Sequence, residues 1–120
     1  MAAFSLPLRD VPSDRFLVIE IDGRSIGVCR IGDNVVAYEN RCPHQFGPAC
    51  EGILVEWVTE VVDAGGLKVG EEAVPGRIHL VCPWHGVEFD AATGRCVSQP
   101  RWQLKPVLVR VEGELVTIEV

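Results

Sequence analysis

With 120 residues, 48% of them apolar, the chain has the length of one domain, enough apolar material for a core and no room for a separate catalytic domain. A formal net charge of -6 argues against nucleic acid as a partner and leaves either a plain acidic surface or docking against a basic face. No stretch approaches a membrane span, Met1 to Pro7 lacks both the basic start and the apolar run of an export signal, and an odd number of cysteines, 5, suits a reducing cytoplasm better than a disulfide framework.

From Arg15 the apolar residues alternate. Leu17, Ile19 and Ile21 fall on one face of a strand, and Phe16, Val18 and Glu20 on the other. Asp22-Gly23 then predicts a turn, 25–31 a second strand, Gly32-Asp33-Asn34 a second turn and 35–39 a third strand, so the region reads as an antiparallel meander that runs straight into Cys42. Cys29, alternating with Gly27 and Ile31, is expected to be a small buried hydrophobe.

Beyond Cys42 the Val-rich run 53–62 predicts another strand, with Glu56 and Glu60 on one face and Val55, Trp57, Thr59 and Val61 on the other. Asp63-Ala64-Gly65-Gly66 ends it. The polar stretch to Gly76 reads as an excursion without chemistry of its own, packing beside neighbouring loops and closing with a Val74-Pro75-Gly76 turn before a short strand over 77–81. Mid-strand His79 is expected to face solvent. Glu88-Phe89-Asp90 and Arg95-Cys96-Val97 flank Gly94 as a short hairpin, and 107–112 with 115–120 flank Gly113 as a final one. With no amphipathic helix in view, the fold class is all-β.

Two stretches do not read as core. Arg41-Cys42-Pro43-His44-Gln45-Phe46-Gly47-Pro48 and Val81-Cys82-Pro83-Trp84-His85-Gly86-Val87-Glu88 each place a thiol and an imidazole in a loop punctuated by proline and glycine. Cys42, His44, Cys82 and His85 together suit a metal centre. Taken as residues alone, two Cys and two His satisfy either tetrahedral zinc or a two-iron, two-sulfide cluster with both thiolates on one iron. Zinc modules commonly need the metal to fold, whereas this chain has an apolar core of its own.

The pattern Cys-x-His … Cys-x-x-His, with Cys82-Pro83-Trp84-His85-Gly86 followed by Phe89-Asp90 and Thr93-Gly94, resembles the soluble Rieske [2Fe-2S] ferredoxins, the ferredoxin components of ring-hydroxylating dioxygenase systems. The likeness runs along essentially the whole chain. Its one departure is the 37 residues between His44 and Cys82, longer than in many members. The resemblance implies a single Rieske domain over 1–120: an antiparallel sandwich or barrel base from 1–41 and 97–120, and an inserted cluster-binding part, 42–96, made of the two loops. It implies a Rieske-type [2Fe-2S] cofactor held by Cys42, His44, Cys82 and His85, and a cytoplasmic one-electron carrier with no catalytic site. The implied partners are a flavin-dependent reductase and a terminal oxygenase, met by transient docking of a monomer. A loop at Ser98-Gln99-Pro100 would lean over the cluster, with Trp102 shielding one side.

In such a site soft thiolates keep their iron ferric, and neutral imidazoles leave theirs easier to reduce. High-potential relatives carry hydroxyl donors where this chain has Val87 and Phe89, and half of a loop-linking disulfide where it has Trp84. The expected potential therefore lies at the low end of the class, about −150 mV. His44 and His85 would be the electron exit, rimmed by Phe46, Pro83, Trp84 and Trp102. With 3 histidines in all, only His79 is left over, too few for the mononuclear iron site of an oxygenase. The competing readings are a Rieske-like small subunit fixed in a larger enzyme such as a nitrite reductase, a structural zinc module, and a Cys-His nucleophilic enzyme for which no oxyanion hole is in view. Cys50 and Cys96 could approach one another, but a reducing compartment favours free thiols.

Overall fold

The computed structural model describes residues 2–43, 46–84 and 86–120; the side chains of Thr59, Ala73 and Pro75 lie outside the description. Among the described residues nine strands run: β1 (Ala3–Pro7), β2 (Leu17–Ile21), β3 (Arg24–Ile31), β4 (Asn34–Glu39), β5 (Ile53–Val62), β6 (Lys68–Val81), β7 (Glu88–Asp90), β8 (Leu108–Glu112) and β9 (Leu115–Glu119). They form three antiparallel sheets, β1-β9-β8, β2-β3-β4 and β5-β6-β7. The described residues contain no helix beyond two short 3-10 turns, so the all-β class holds.

The meander forms where the alternation places it. Asp22 and Gly23 both take positive φ, 52° and 79°, the geometry of a two-residue hairpin turn whose twist matches its strands. β3 is buried on both faces. Ile26 and Val28 point into one core with Leu6, Val11, Ile21, Ala37, Val116 and Ile118; Cys29 and Ile31 point into the other with Phe16, Tyr38, Cys50, Leu80, Phe89 and Leu104. The first core joins the two sheets of the base, and the second joins the base to β5-β6-β7. Tyr38 crosses the second boundary, donating its hydroxyl hydrogen to the Ala91 carbonyl at 2.8 Å, and Leu104 N–H reaches the Gly94 carbonyl at 2.8 Å. Cys29 and Cys50 are buried and free, as is Cys96, whose sulfur lies 3.7 Å from the Ser98 hydroxyl while that of Cys50 faces the Tyr38 carbonyl at 3.8 Å.

Two expectations require correction. The segment after Gly66 is not a polar excursion ending in a turn and a short strand: β6 runs unbroken over Lys68–Val81 and makes a long hairpin with β5. Its proline and glycine are absorbed by a bulge. Glu56 pairs with Ile78 and Val58 with Ala73, so Trp57 alone stands opposite Val74-Pro75-Gly76-Arg77, and there a residue without an N–H and one at φ 77° break no ladder. Nor does the hairpin lie flat beside the loops, for Val58, Val62, Leu67 and Val69 along it are exposed, and the molecule extends 57 Å along its longest axis.

His79 is the second correction. Alternation does turn it away from the core-facing Leu80, yet only 3% of it is exposed. The Trp57 ring closes over it edge-on at 5.5 Å, and Glu88 Oε1 sits 3.2 Å from its Nδ1.

The buried thiols make the fold sensitive to alkali. Burial pushes Cys29 from the usual 9.0 up to about 11 and Cys50 up to about 12, and raises Tyr38 further. A raised folded-state pKa gives a stabilising contribution that is complete below the unfolded value and is lost as pH climbs through the folded one. Urea unfolding should therefore show stability falling from pH 9.0 upward through about 11, and Cys29→Ala should flatten that slope. A slope unchanged in the variant would contradict this assignment.

Candidate metal centre

Each cysteine loop is closed by the same pair of hydrogen bonds. In the first, Cys42 N–H donates to the Gly47 carbonyl at 2.7 Å and Phe46 N–H to the Cys42 carbonyl at 2.7 Å; in the second, Cys82 N–H donates to the Val87 carbonyl at 2.8 Å and Gly86 N–H to the Cys82 carbonyl at 3.1 Å. The fourth residue after each cysteine takes a left-handed conformation, Phe46 at φ 62° and Gly86 at φ 67°. Such a turn suits glycine, as in the second loop; in the first, phenylalanine holds it at a steric cost of about 1–2 kcal/mol. The Arg41 guanidinium over the Phe46 ring, 4.0 Å from its centroid, offsets part of that cost.

The loops meet at their cysteines. Cys42 and Cys82 are each 2% exposed, and the Cys42 thiol lies near enough to Cys82 to influence its ionisation. Burial first, then the neighbouring Cys42 thiol, raises the Cys82 thiol, against a lowering influence of the Trp84 backbone. Two thiols enclosed side by side suit a cation that compensates both as thiolates. His44, Gln45 and His85 lie outside the described residues, so the imidazole half of the predicted ligand set is not placed.

The loops are also fastened to each other and to the base. Gly47 lies under the Trp84 ring, whose carbons stand 2.7 Å from where a Cβ on that glycine would be. Trp84 thus bridges the two loops. Asn40 latches the far end of the first loop: its Oδ1 accepts from Cys50 N–H at 2.8 Å, and its Nδ2 reaches Ser25 Oγ at 3.2 Å and Glu51 Oε2 at 3.1 Å. Around the cysteines, Phe46 is 64% and Trp84 51% exposed, with Pro83 exposed and Trp102 half-buried against the second core. Phe89 is fully buried and Val87 packs on the same core, so no hydroxyl is offered at either position. Asn40 and Gly47 were not singled out in the sequence, since both act through contacts distant in the chain.

An antiparallel β fold with two matched loops bringing two thiols together defines a metalloprotein built for an enclosed centre. The chain belongs to the Rieske [2Fe-2S] domain family, whose sequence profile matches residues 4–107. Its cofactor is accordingly a [2Fe-2S] cluster. Among relatives, the ferredoxin component of the naphthalene 1,2-dioxygenase system of Pseudomonas aeruginosa is 23% identical over 116 residues, covering 96% of this chain and 91% of that one. In fold, the chain matches the ferredoxin of carbazole 1,9a-dioxygenase from Nocardioides aromaticivorans IC177, with a TM-score of 0.66 and 22% identity over 98% of this chain and 96% of that one. It also matches a protein of Mycobacterium tuberculosis assigned as the small subunit of an NADH-dependent nitrite reductase, with a TM-score of 0.69 and 19% identity over 100% and 97%.

The loop contacts predict opposite responses at adjacent positions. Gly47→Ala should displace Trp84 and speed iron loss to a chelator several-fold. Phe46→Gly, which relieves the left-handed strain, should leave that rate unchanged or slower. Equal rates in Gly47→Ala and the parent protein would show that the Trp84 contact does not hold the loops.

Proposed function

We propose that this protein is a one-electron carrier, a Rieske ferredoxin in which Cys42 and Cys82 hold one iron and His44 and His85 the other. The observation that carries this reading is the pairing of two enclosed thiols, each at the start of a loop closed by the same two backbone hydrogen bonds. The cluster, when bound, would supply one reversible electron. The chain's own residues do the rest: the loop-closing backbone hydrogen bonds orient the cysteines, and the second core keeps water from the thiolate side.

The reading also divides the chain into a base, 1–41 and 97–120, and a cluster-binding part, 42–96. The separate β5-β6-β7 sheet and the base sheets support that division. The partners that fit are a flavin-dependent reductase as donor and a terminal oxygenase as acceptor, by likeness to the naphthalene dioxygenase ferredoxin component. Phe46, Pro83 and Trp84 offer the apolar, exposed rim that brief docking uses. No helix among the described residues is long and apolar enough to cross a membrane, in keeping with a carrier that leaves its partners, and the cytoplasm suits its free thiols. The carrier works as a monomer and has no catalytic site.

Spectroelectrochemistry tests the carrier reading. The purified protein should take up one electron per chain reversibly, with a midpoint of about −150 mV, because Val87 and Phe89 supply no hydroxyl donors to the cluster sulfurs. Cys42→Ser and Cys82→Ser should each abolish the visible absorption. A midpoint well above zero would contradict the assigned surroundings, and absorption retained in either variant would remove that cysteine from the ligand set.

A further inference from the structure

We propose that Arg41, held on the Phe46 ring at the edge of the first cysteine loop, is the anchor for a carboxylate side chain of the electron-transfer partner, so that the partner's docking face is acidic at this point. The inference rests on the electron-carrier reading and adds to it the charge that the partner must present.

The first observation is a strained residue that faces solvent. Phe46 is held in a left-handed conformation at φ 62°, and 64% of it is exposed. The matched position of the second loop is Gly86 at φ 67°, so the turn itself asks for nothing more than glycine. Phenylalanine there strains the backbone and recovers little by burial. What the ring does gain is Arg41, whose guanidinium carbon stands 4.0 Å from its centroid. Strain of this kind collects at positions that bind or react.

The second observation is the state of that guanidinium. A stacked arginine keeps its planar face on the ring and its N–H edge free, and such an edge matches a carboxylate through two parallel hydrogen bonds. Among the described residues Arg41 forms no ion pair. Stacking restrains the long side chain beforehand, so less freedom is lost when a partner group arrives. Arg41 and Phe46 line a cleft of about 420 Å³ together with Arg24, Ser25, Glu39 and Asn40.

The charges of the cleft favour an anion. Glu39 lies 3.7 Å from Arg24 Nη1 and 3.8 Å from Lys105 Nζ, so two cations already answer its one carboxylate, while Glu51 accepts from Asn40 Nδ2 at 3.1 Å. Arg41 is left without a counter-charge. The net charge of -6 does not reverse this. Glu60, Asp63, Glu71 and Glu72 stand towards the far end of the β5-β6 hairpin, about 30 Å from Cys82 at the rise of an extended strand, and salt screens exposed charges beyond about 8 Å at physiological ionic strength. Glu88, at the foot of the second loop, is turned to His79. Because Arg41 adjoins Cys42, a carboxylate seated on it brings the partner to the loop that the carrier reading assigns to the cluster.

The test uses the reduced, cluster-loaded protein in stopped-flow oxidation by two small complexes at one ionic strength: hexacyanoferrate(III), a trianion, and tris(phenanthroline)cobalt(III), a trication. Each takes one electron from the cluster. The ratio of the two rate constants reads the local charge at the electron exit, since a change in midpoint potential moves both rates the same way. Arg41→Gln should lower the ratio of anion rate to cation rate about threefold or more, with visible and electron paramagnetic resonance spectra that match the parent. Poly-L-glutamate, as a polypeptide carboxylate, should slow the hexacyanoferrate reaction of the parent, and about tenfold more of it should be needed in Arg41→Gln. Arg41→Lys, which keeps the charge but not the planar fork, should restore the ratio and not the poly-L-glutamate sensitivity. A ratio unchanged in Arg41→Gln while both complexes are reduced, or equal sensitivity to poly-L-glutamate in Arg41→Gln and the parent, would overturn this proposal alone. Electron transfer to neither complex would overturn the carrier reading and this proposal with it.

Discussion

Two thiolates must be delivered to one point by segments far apart in the chain, and the rest of the structure follows from that requirement. A cysteine presented on a strand has its neighbours alternating away from it, so no strand can offer an enclosed sulfur with amide donors around it. The five-residue loop does. Cys42 N–H bonded to the Gly47 carbonyl and Cys82 N–H bonded to the Val87 carbonyl curl the backbone about each cysteine, and the left-handed residue closes each turn. Proline after each cysteine removes an N–H that would otherwise compete.

Matched loops alone would not stay together. Their registration comes from β3, whose two buried faces make it the common wall of both cores. Everything on the Cys29 side, including Cys42 and Cys82, packs against one surface, and the terminal strands pack against the other. Asn40 transmits that rigidity, tying the end of β4 to β3 and to the Cys50 turn that leads out of the first loop. Gly27 leaves room for this turn, because a Cβ there would meet the Cys50 side chain. The base is thus a support that fixes the distance between the loops.

Much of this was legible in the residues. Period-two alternation placed β2, β3, β4, β8 and β9 close to their observed bounds, because one-sided or two-sided burial writes itself into hydrophobic order. The two cysteine loops were legible because thiol, proline and glycine coincide in both, and the structure brings those cysteines together. The hairpin was not legible beyond Gly66: a strand pattern was masked by Pro75-Gly76, and the bulge that accommodates them depends on which residue of β5 stands opposite. His79 failed for a related reason. Its register was read correctly, but its burial is made by Trp57 and Glu88 from other strands, contacts that no local period encodes. Asn40 and the Trp84–Gly47 contact are likewise long-range.

The central claim is mixed ligation, two sulfurs on one iron and two imidazoles on the other, and pulsed electron paramagnetic resonance of the dithionite-reduced protein tests it most directly. Iron and acid-labile sulfide should be counted on the same sample. The account predicts a [2Fe-2S] stoichiometry with hyperfine couplings from the ring nitrogens of both His44 and His85, one set lost in each single histidine variant. A reduced cluster without nitrogen coupling, or a silent spectrum with stoichiometric zinc, would contradict it.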